Sequence, residues 1–180
     1  MLIGESFVGA GAEAAHVNTV LGDRDGPAGV AWATALATPR QGHTPFVAVL
    51  APGIPVRPTT LFVNKASIAG DTHGALTWGA AQAGVAGGVA DAVNEGIIDP
   101  AEASTLLLIA AVWVNPAASN ADVVYANNRV ATREALRAGR DGTPSIGDML
   151  AARFQPTNPY YTAAPAGHSS DPGPADRPVA

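Results

Sequence analysis

The 180-residue sequence contains no cysteine. That removes a disulfide framework and any thiolate metal site from consideration. Charge is also scarce, at 14% of residues, against about 25% in an average soluble domain. The ten Lys and Arg residues are scattered and the formal net charge is −5. A nucleic-acid partner, which needs a basic face against phosphates, is therefore not expected. No apolar run approaches the roughly 18 residues of a membrane span, so no membrane partner is expected either. Residues 1–5 lack the basic start and apolar stretch of a secretory leader, and the expectation is a cytoplasmic protein.

What is present is apolar: 47% of the residues are hydrophobic, enough for one substantial core. A surface this short of charge favours self-association, hence a homo-oligomer. Alanine is abundant and Arg is preferred over Lys, which reads as genomic base composition and blurs helix periodicity.

Alternation and turn residues predict two strands, 2–8 and 15–21, around the turn Gly9-Ala10-Gly11. A turn at 22–27 leads into a helix to about residue 36, with Asp25 as cap and Pro27 in the first turn. Residues 44–51 (TPFVAVLA) read as a buried strand, the proline-rich 52–58 as a loop, and 59–69 as a further strand. A long Gly/Ala helix from Asp71 or Thr72 to about Glu95 should pack closely on a sheet. Its glycines, each costing up to about 1 kcal/mol in a solvated helix, need that compensation. The run 106–114 (LLLIAAVWV) reads as a strand buried on both faces. A helix follows over 121–140, then a short one over 145–153. Strands occurring both in pairs and between helices imply an α/β two-layer domain with a mixed sheet. The domain is expected over residues 1–154, followed over 155–180 by a Pro-rich tail with little core of its own.

The four histidines share no HxH or HExxH spacing, so no metal is expected. His43, His73 and His168 read as structural or solvated. His16 lies mid-strand, two residues from Asn18, so the two project from one face. Lys65 and Ser67 repeat this pattern on another strand, behind Leu61 and Val63. Gln82 is the notable polar group of the Gly/Ala helix. Glycines 84, 87 and 88 fall inside that helix and form no phosphate loop, and there is no GxSxG for a serine hydrolase. Residue patterns alone therefore give a polar set without metal and name no reaction.

The runs IGESFVGAGAEAAHVN, GHTPFVAVLAPGIPVRPTTLFVNKASI, WGAAQAGVAGGVADAVNEGII and VNPAA, in order from about Leu2 to Gly142, resemble the formaldehyde-activating enzymes. These tetrahydromethanopterin hydro-lyases join formaldehyde to the pterin with loss of water. The resemblance implies a left-handed βαβ crossover in a ribosomal-protein-domain-like fold, a homopentamer and a place in one-carbon metabolism. It implies His16 as the catalytic residue and general acid, with Asn18, Val47, Lys65, Ser67 and Gln82 contacting the pterin. Tetrahydromethanopterin would be a co-substrate, with no tightly bound cofactor. Three of these positions depart from the family pattern: Asn18 stands for Asp, Val47 for Leu and Ser67 for Thr. The exchange at Asn18 removes a charge and adds a donor. Two other readings fit the same residues: a non-catalytic pterin- or aldehyde-binding homologue, and one acting on another aldehyde, reduced pterin or folate.

Overall fold

The computed structural model describes residues 1–158 and 161–163, which form parts of two compact units, Met1–Thr143 and Pro144–Ala180. The first unit is built on a five-stranded sheet of order β1-β2-β7-β6-β3. Its strands are β1 (Leu2–Val8), β2 (Ala15–Asp23), β3 (Pro45–Val47), β6 (Thr59–Asn64) and β7 (Leu106–Trp113). β6 and β7 run parallel and the other neighbours antiparallel, so the sheet is mixed, as expected. The parallel pair needs a long crossover. It is supplied by α2 (Asp71–Ala75), a π-helical turn (Leu76–Ala81) and α3 (Gln82–Asn94), which Gly96 terminates at φ +71°.

Strict alternation on β2 sorts the two faces. Ala15, Val17, Thr19 and Leu21 are buried, and His16, Asn18 and Val20 are half-buried on the other side. The buried side joins Phe62, Leu108, Ala110 and Val112 to Val85, Val89, Val124 and Ala131 of the helical layer in one core. α4 (Ala121–Asp141) lies directly on β1 and β2, with Asn120 capping its start through a bond from the Val123 amide. The contact is close. A Cβ on Gly4 would stand 1.8 Å from the Ala135 carbonyl oxygen.

Several expectations need correction. The close-packing glycines of α3 face α4 rather than the sheet: a Cβ at Gly84 would meet the Tyr125 carbonyl oxygen at 2.5 Å, and one at Gly88 that of Arg129 at 2.4 Å. The run 44–51 is two strands, β3 and β4 (Val49–Ala51). Ala48 between them donates to Thr60 and accepts from Val56. β5 (Ile54–Pro55) interrupts the expected proline loop and pairs with β4 in a separate ribbon. α1 (Pro27–Ala37) has Gly26 at its cap, not Asp25, and no side chain caps it. β7 is buried on one face only, because Ile109, Ala111 and Trp113 are half-buried.

α1 lies against the side opposite the other helices, since Ala28 packs on Gly22, which shares the parity of His16. It reaches across that face from β2 over β7 to β3. In the second unit, Ser145 and Asp148 form a reciprocal capping box at the start of α5 (Ile146–Ala152). The strands β8 (Thr157–Asn158) and β9 (Tyr161–Thr162) pair with each other.

Candidate functional site

Strand register arranges the half-open face of the sheet in rows. One row pairs Phe7 with His16 and His16 with Trp113; the register of β6 and β7, continued one residue, adds Lys65, whose amide donates to the Val112 carbonyl at 2.8 Å. The next row holds Glu5, Asn18, Ala111, Val63 and Pro45. The third holds Ile3, Val20, Ile109, Leu61 and Val47. With strands about 4.8 Å apart, His16 and Lys65 sit two strands, about 10 Å, from each other.

Two side-chain pairs link the polar members. His16 Nε2 lies 3.0 Å from Glu5 Oε1, a diagonal neighbour on β1. The Phe7 ring stands against the imidazole at 5.9 Å between centroids. Lys65 Nζ donates to Asn18 Oδ1, reaching over the small Ala111 that separates the two in the sheet. Burial holds the Lys65 ammonium below its ordinary range, and the Glu5 carboxylate partly offsets this. The face thus carries an acid–imidazole pair and, beside it, an amine–amide pair.

The face accounts for four of the six residues expected at the site: His16, Asn18, Lys65 and Val47, the last at the sheet edge. Ser67 lies past the end of β6, exposed, with Gly42 beside its hydroxyl. The strand expected to reach residue 69 stops at Asn64 for a local reason. The Asn64 side chain accepts from the Thr44 amide and donates to the Ala66 carbonyl, bending the chain after Lys65. Gln82 sits in the helical layer behind the sheet, buried, and donates to the Val49 carbonyl at 2.8 Å. It braces the β4–β5 ribbon and does not join the His16 face.

Among the other histidines, His73 is buried and bridges elements. Its Nδ1 accepts from the Ala69 amide and its Nε2 donates to the Val114 carbonyl, both at 3.0 Å. His43 is exposed in a short bridge with Arg40. His168 and Tyr160 lie outside the described residues. Glu5, Phe7 and Trp113 were missing from the sequence-based site. The hairpin register around the Gly9-Ala10-Gly11 turn is the signal that would have found the first two, because it sets Glu5 beside Asn18 and Phe7 beside His16.

Residues 3–161 match the family model described as formaldehyde-activating enzyme. The chain belongs to the formaldehyde-activating enzyme family. It is 39% identical to the 5,6,7,8-tetrahydromethanopterin hydro-lyase of Methanosarcina barkeri, over 88% of this chain and 89% of that protein. It is also 41% identical over 83% of its length to the bifunctional enzyme Fae/Hps of Methanococcoides burtonii, and 38% identical over 88% to that of Archaeoglobus fulgidus. The match covers 38% and 40% of those two longer proteins, so the chain corresponds to less than half of each. No helix among the described residues is long and apolar enough to cross a membrane.

Proposed function

We propose that this chain condenses formaldehyde with tetrahydromethanopterin to the methylene-pterin, releasing water, with His16 as general acid. The observation that carries the reading is the Glu5–His16 pair on a half-open sheet face, in a member of a family whose named relative is a tetrahydromethanopterin hydro-lyase.

The chemistry asks little of the protein. The pterin N5 amine adds to formaldehyde, giving a hydroxymethyl carbinolamine. Loss of its hydroxyl as water leaves an iminium, which N10 traps to close the methylene bridge. Protonating the departing hydroxyl is the step a histidine can assist near neutral pH. Glu5 engages Nε2, which leaves Nδ1 as the nitrogen to serve the substrate. Such acid catalysis is worth about 10²–10⁴-fold, and holding the pterin beside the carbinolamine supplies the rest through proximity.

Asn18 and Lys65 would orient the pterin from the same face, and half-buried Val47 would form an apolar border. Ser67 is proposed to reach the pterin from the bend after Lys65. Gln82, already donating to Val49, would act chiefly by fixing the β4–β5 ribbon. The homopentamer implied by the resemblance and the cytoplasmic location expected from the sequence belong to the proposal too. Exposed Ile3 and Phe7, on the open side of β1, are residues an assembly would cover. Light scattering tests the oligomer number.

The test of the activity is the initial rate of methylene-pterin formation with tetrahydromethanopterin and, separately, with tetrahydrofolate. Saturable acceleration confined to the first cofactor supports the reading. Acceleration with folate alone, or saturable binding without acceleration, would overturn it in favour of a different pterin or a binding protein.

A further inference from the structure

Lys65 is the only lysine in the chain; the other nine basic residues are arginines. It is also the residue that the sheet brings into the row of His16, two strands away across Trp113. In a protein whose substrate is an aldehyde this singularity has chemical weight. A lysine amine adds readily to formaldehyde, whereas an arginine guanidinium stays protonated and is a poor nucleophile.

The surroundings of Lys65 favour the amine. Among the described residues its side-chain hydrogen-bond partner is a neutral amide, Asn18, and no carboxylate is bonded to the ammonium. Partial burial disfavours the charged form, and the Glu5 carboxylate acts against this only as the smaller effect. Desolvation is one of the ways in which a lysine amine is activated to form Schiff bases with carbonyl substrates. His16 stands on the same face to deliver the proton that dehydration needs.

We propose that Lys65 captures formaldehyde covalently and passes it to the pterin. This inference rests on the functional reading above and deepens it. The Nζ lone pair attacks the carbonyl carbon while the oxygen takes up a proton, giving an N-hydroxymethyl amine. His16 protonates the hydroxyl, water leaves, and a methylene iminium on Nζ remains. The pterin N5 amine adds to that carbon. The Lys65 amine then departs, reclaiming a proton, and leaves the carbon as the pterin iminium that N10 closes. No electron carrier is involved. One formaldehyde enters and one water leaves, as in the direct route. Formaldehyde is mostly hydrated in water, so an amine that holds it as an iminium presents the pterin with a better electrophile.

The experiment uses the whole protein with formaldehyde and cyanoborohydride, which reduces an iminium to a stable N-methyl group. Because Lys65 is the only lysine, peptide mass mapping separates its product from that of the N-terminal amine without ambiguity. Lys65 is expected to be methylated several-fold faster than N-acetyl-lysine amide at pH 7, and adding tetrahydromethanopterin should suppress the labelling by draining the iminium. Lys65→Arg, which keeps the cation, should fold, as judged by its melting curve, and lose the acceleration of methylene-pterin formation. Labelling no faster than the reference amine, or a Lys65→Arg variant with unchanged acceleration, overturns the covalent route while the proposed activity stands. Fast labelling with no acceleration by the wild-type protein instead overturns the pterin reaction and keeps Lys65 as an aldehyde-capturing amine.

Discussion

Glu5 Oε1 sits 3.0 Å from His16 Nε2 across the first hairpin, so the histidine proposed as the acid is held by a carboxylate two residues from its strand partner. The pair is partly solvated, with side-chain exposures of 59% and 36%, which limits its strength. Its value on this account is directional, turning one nitrogen to the carboxylate and the other to the substrate.

Glu5→Gln should therefore lower kcat by about tenfold, equivalent to about 1.4 kcal/mol of barrier, and leave KM and the melting temperature nearly unchanged. Steady-state kinetics measure the split. The ¹⁵N resonances of the His16 ring should move in the variant, which a merely structural role for Glu5 would not require.

Asn18→Asp sets a carboxylate against the Lys65 amine and should raise the lysine's titration. The single lysine gives one ¹³Cε signal in labelled protein, and that signal reports the change directly. The linkage has a definite sign. With the Lys65 ammonium lowered in the fold, the unfolded chain binds more protons between that lowered value and the ordinary 10.5. Stability therefore rises with pH across this window. The rise should shrink in Asn18→Asp, as denaturation at a series of alkaline pH values will measure.

Gly84→Ala should destabilise the fold by about 1–3 kcal/mol, because the added Cβ meets the Tyr125 carbonyl oxygen at 2.5 Å and backbone must move. Gly79 has open space around its Cβ position and serves as the control. Urea titration of both variants separates overpacking from helix propensity, which favours Ala at each site.

The two helices are also joined by Arg129 and Asp91 through bonds of 2.6 and 2.8 Å. Hydrogen bonding to Arg129 holds the Asp91 carboxyl below its ordinary range. A depressed carboxylate contributes stability that is fully present above the unfolded value of 3.8 and lost as pH falls through the folded one. Asp91→Asn should remove that part of the acid dependence and, Arg129 being partly exposed, cost about 1 kcal/mol at pH 7. Thermal melts between pH 2 and about pH 7 test both statements.

Strands with clean alternation were legible from residues alone. On β2 the sequence AHVNTVL assigns His16 and Asn18 to one face, and the fold agrees. Where a side chain or a backbone crossing decides the outcome, the pattern is silent. The apolar run 44–51 carries no mark at Ala48, whose two backbone bonds to different partners split it into β3 and β4. Asn64 ends β6 with its own amide, taking Ser67 off the face that simple alternation had given it. The Ala/Gly-rich crossover hides its π-helical turn, since nearly any face of such a helix is equally apolar. For the same reason Gly84 and Gly88 could be read as packing glycines while their partner, α4, could not. Gln82 was grouped with the site through the family likeness, and only the tertiary arrangement separates it from His16. Glu5 needed the hairpin register, a long-range fact that alternation within one strand does not contain.

The most direct test of the central claim compares the rate of methylene-pterin formation from formaldehyde and tetrahydromethanopterin in three reactions: without protein, with wild type and with His16→Ala. Clear acceleration by wild type is expected, with loss of about 10²–10⁴-fold of it in the variant and pterin binding retained. A His16→Ala protein as fast as wild type would contradict the assignment of the acid, and a wild type no faster than the spontaneous reaction would contradict the enzyme itself.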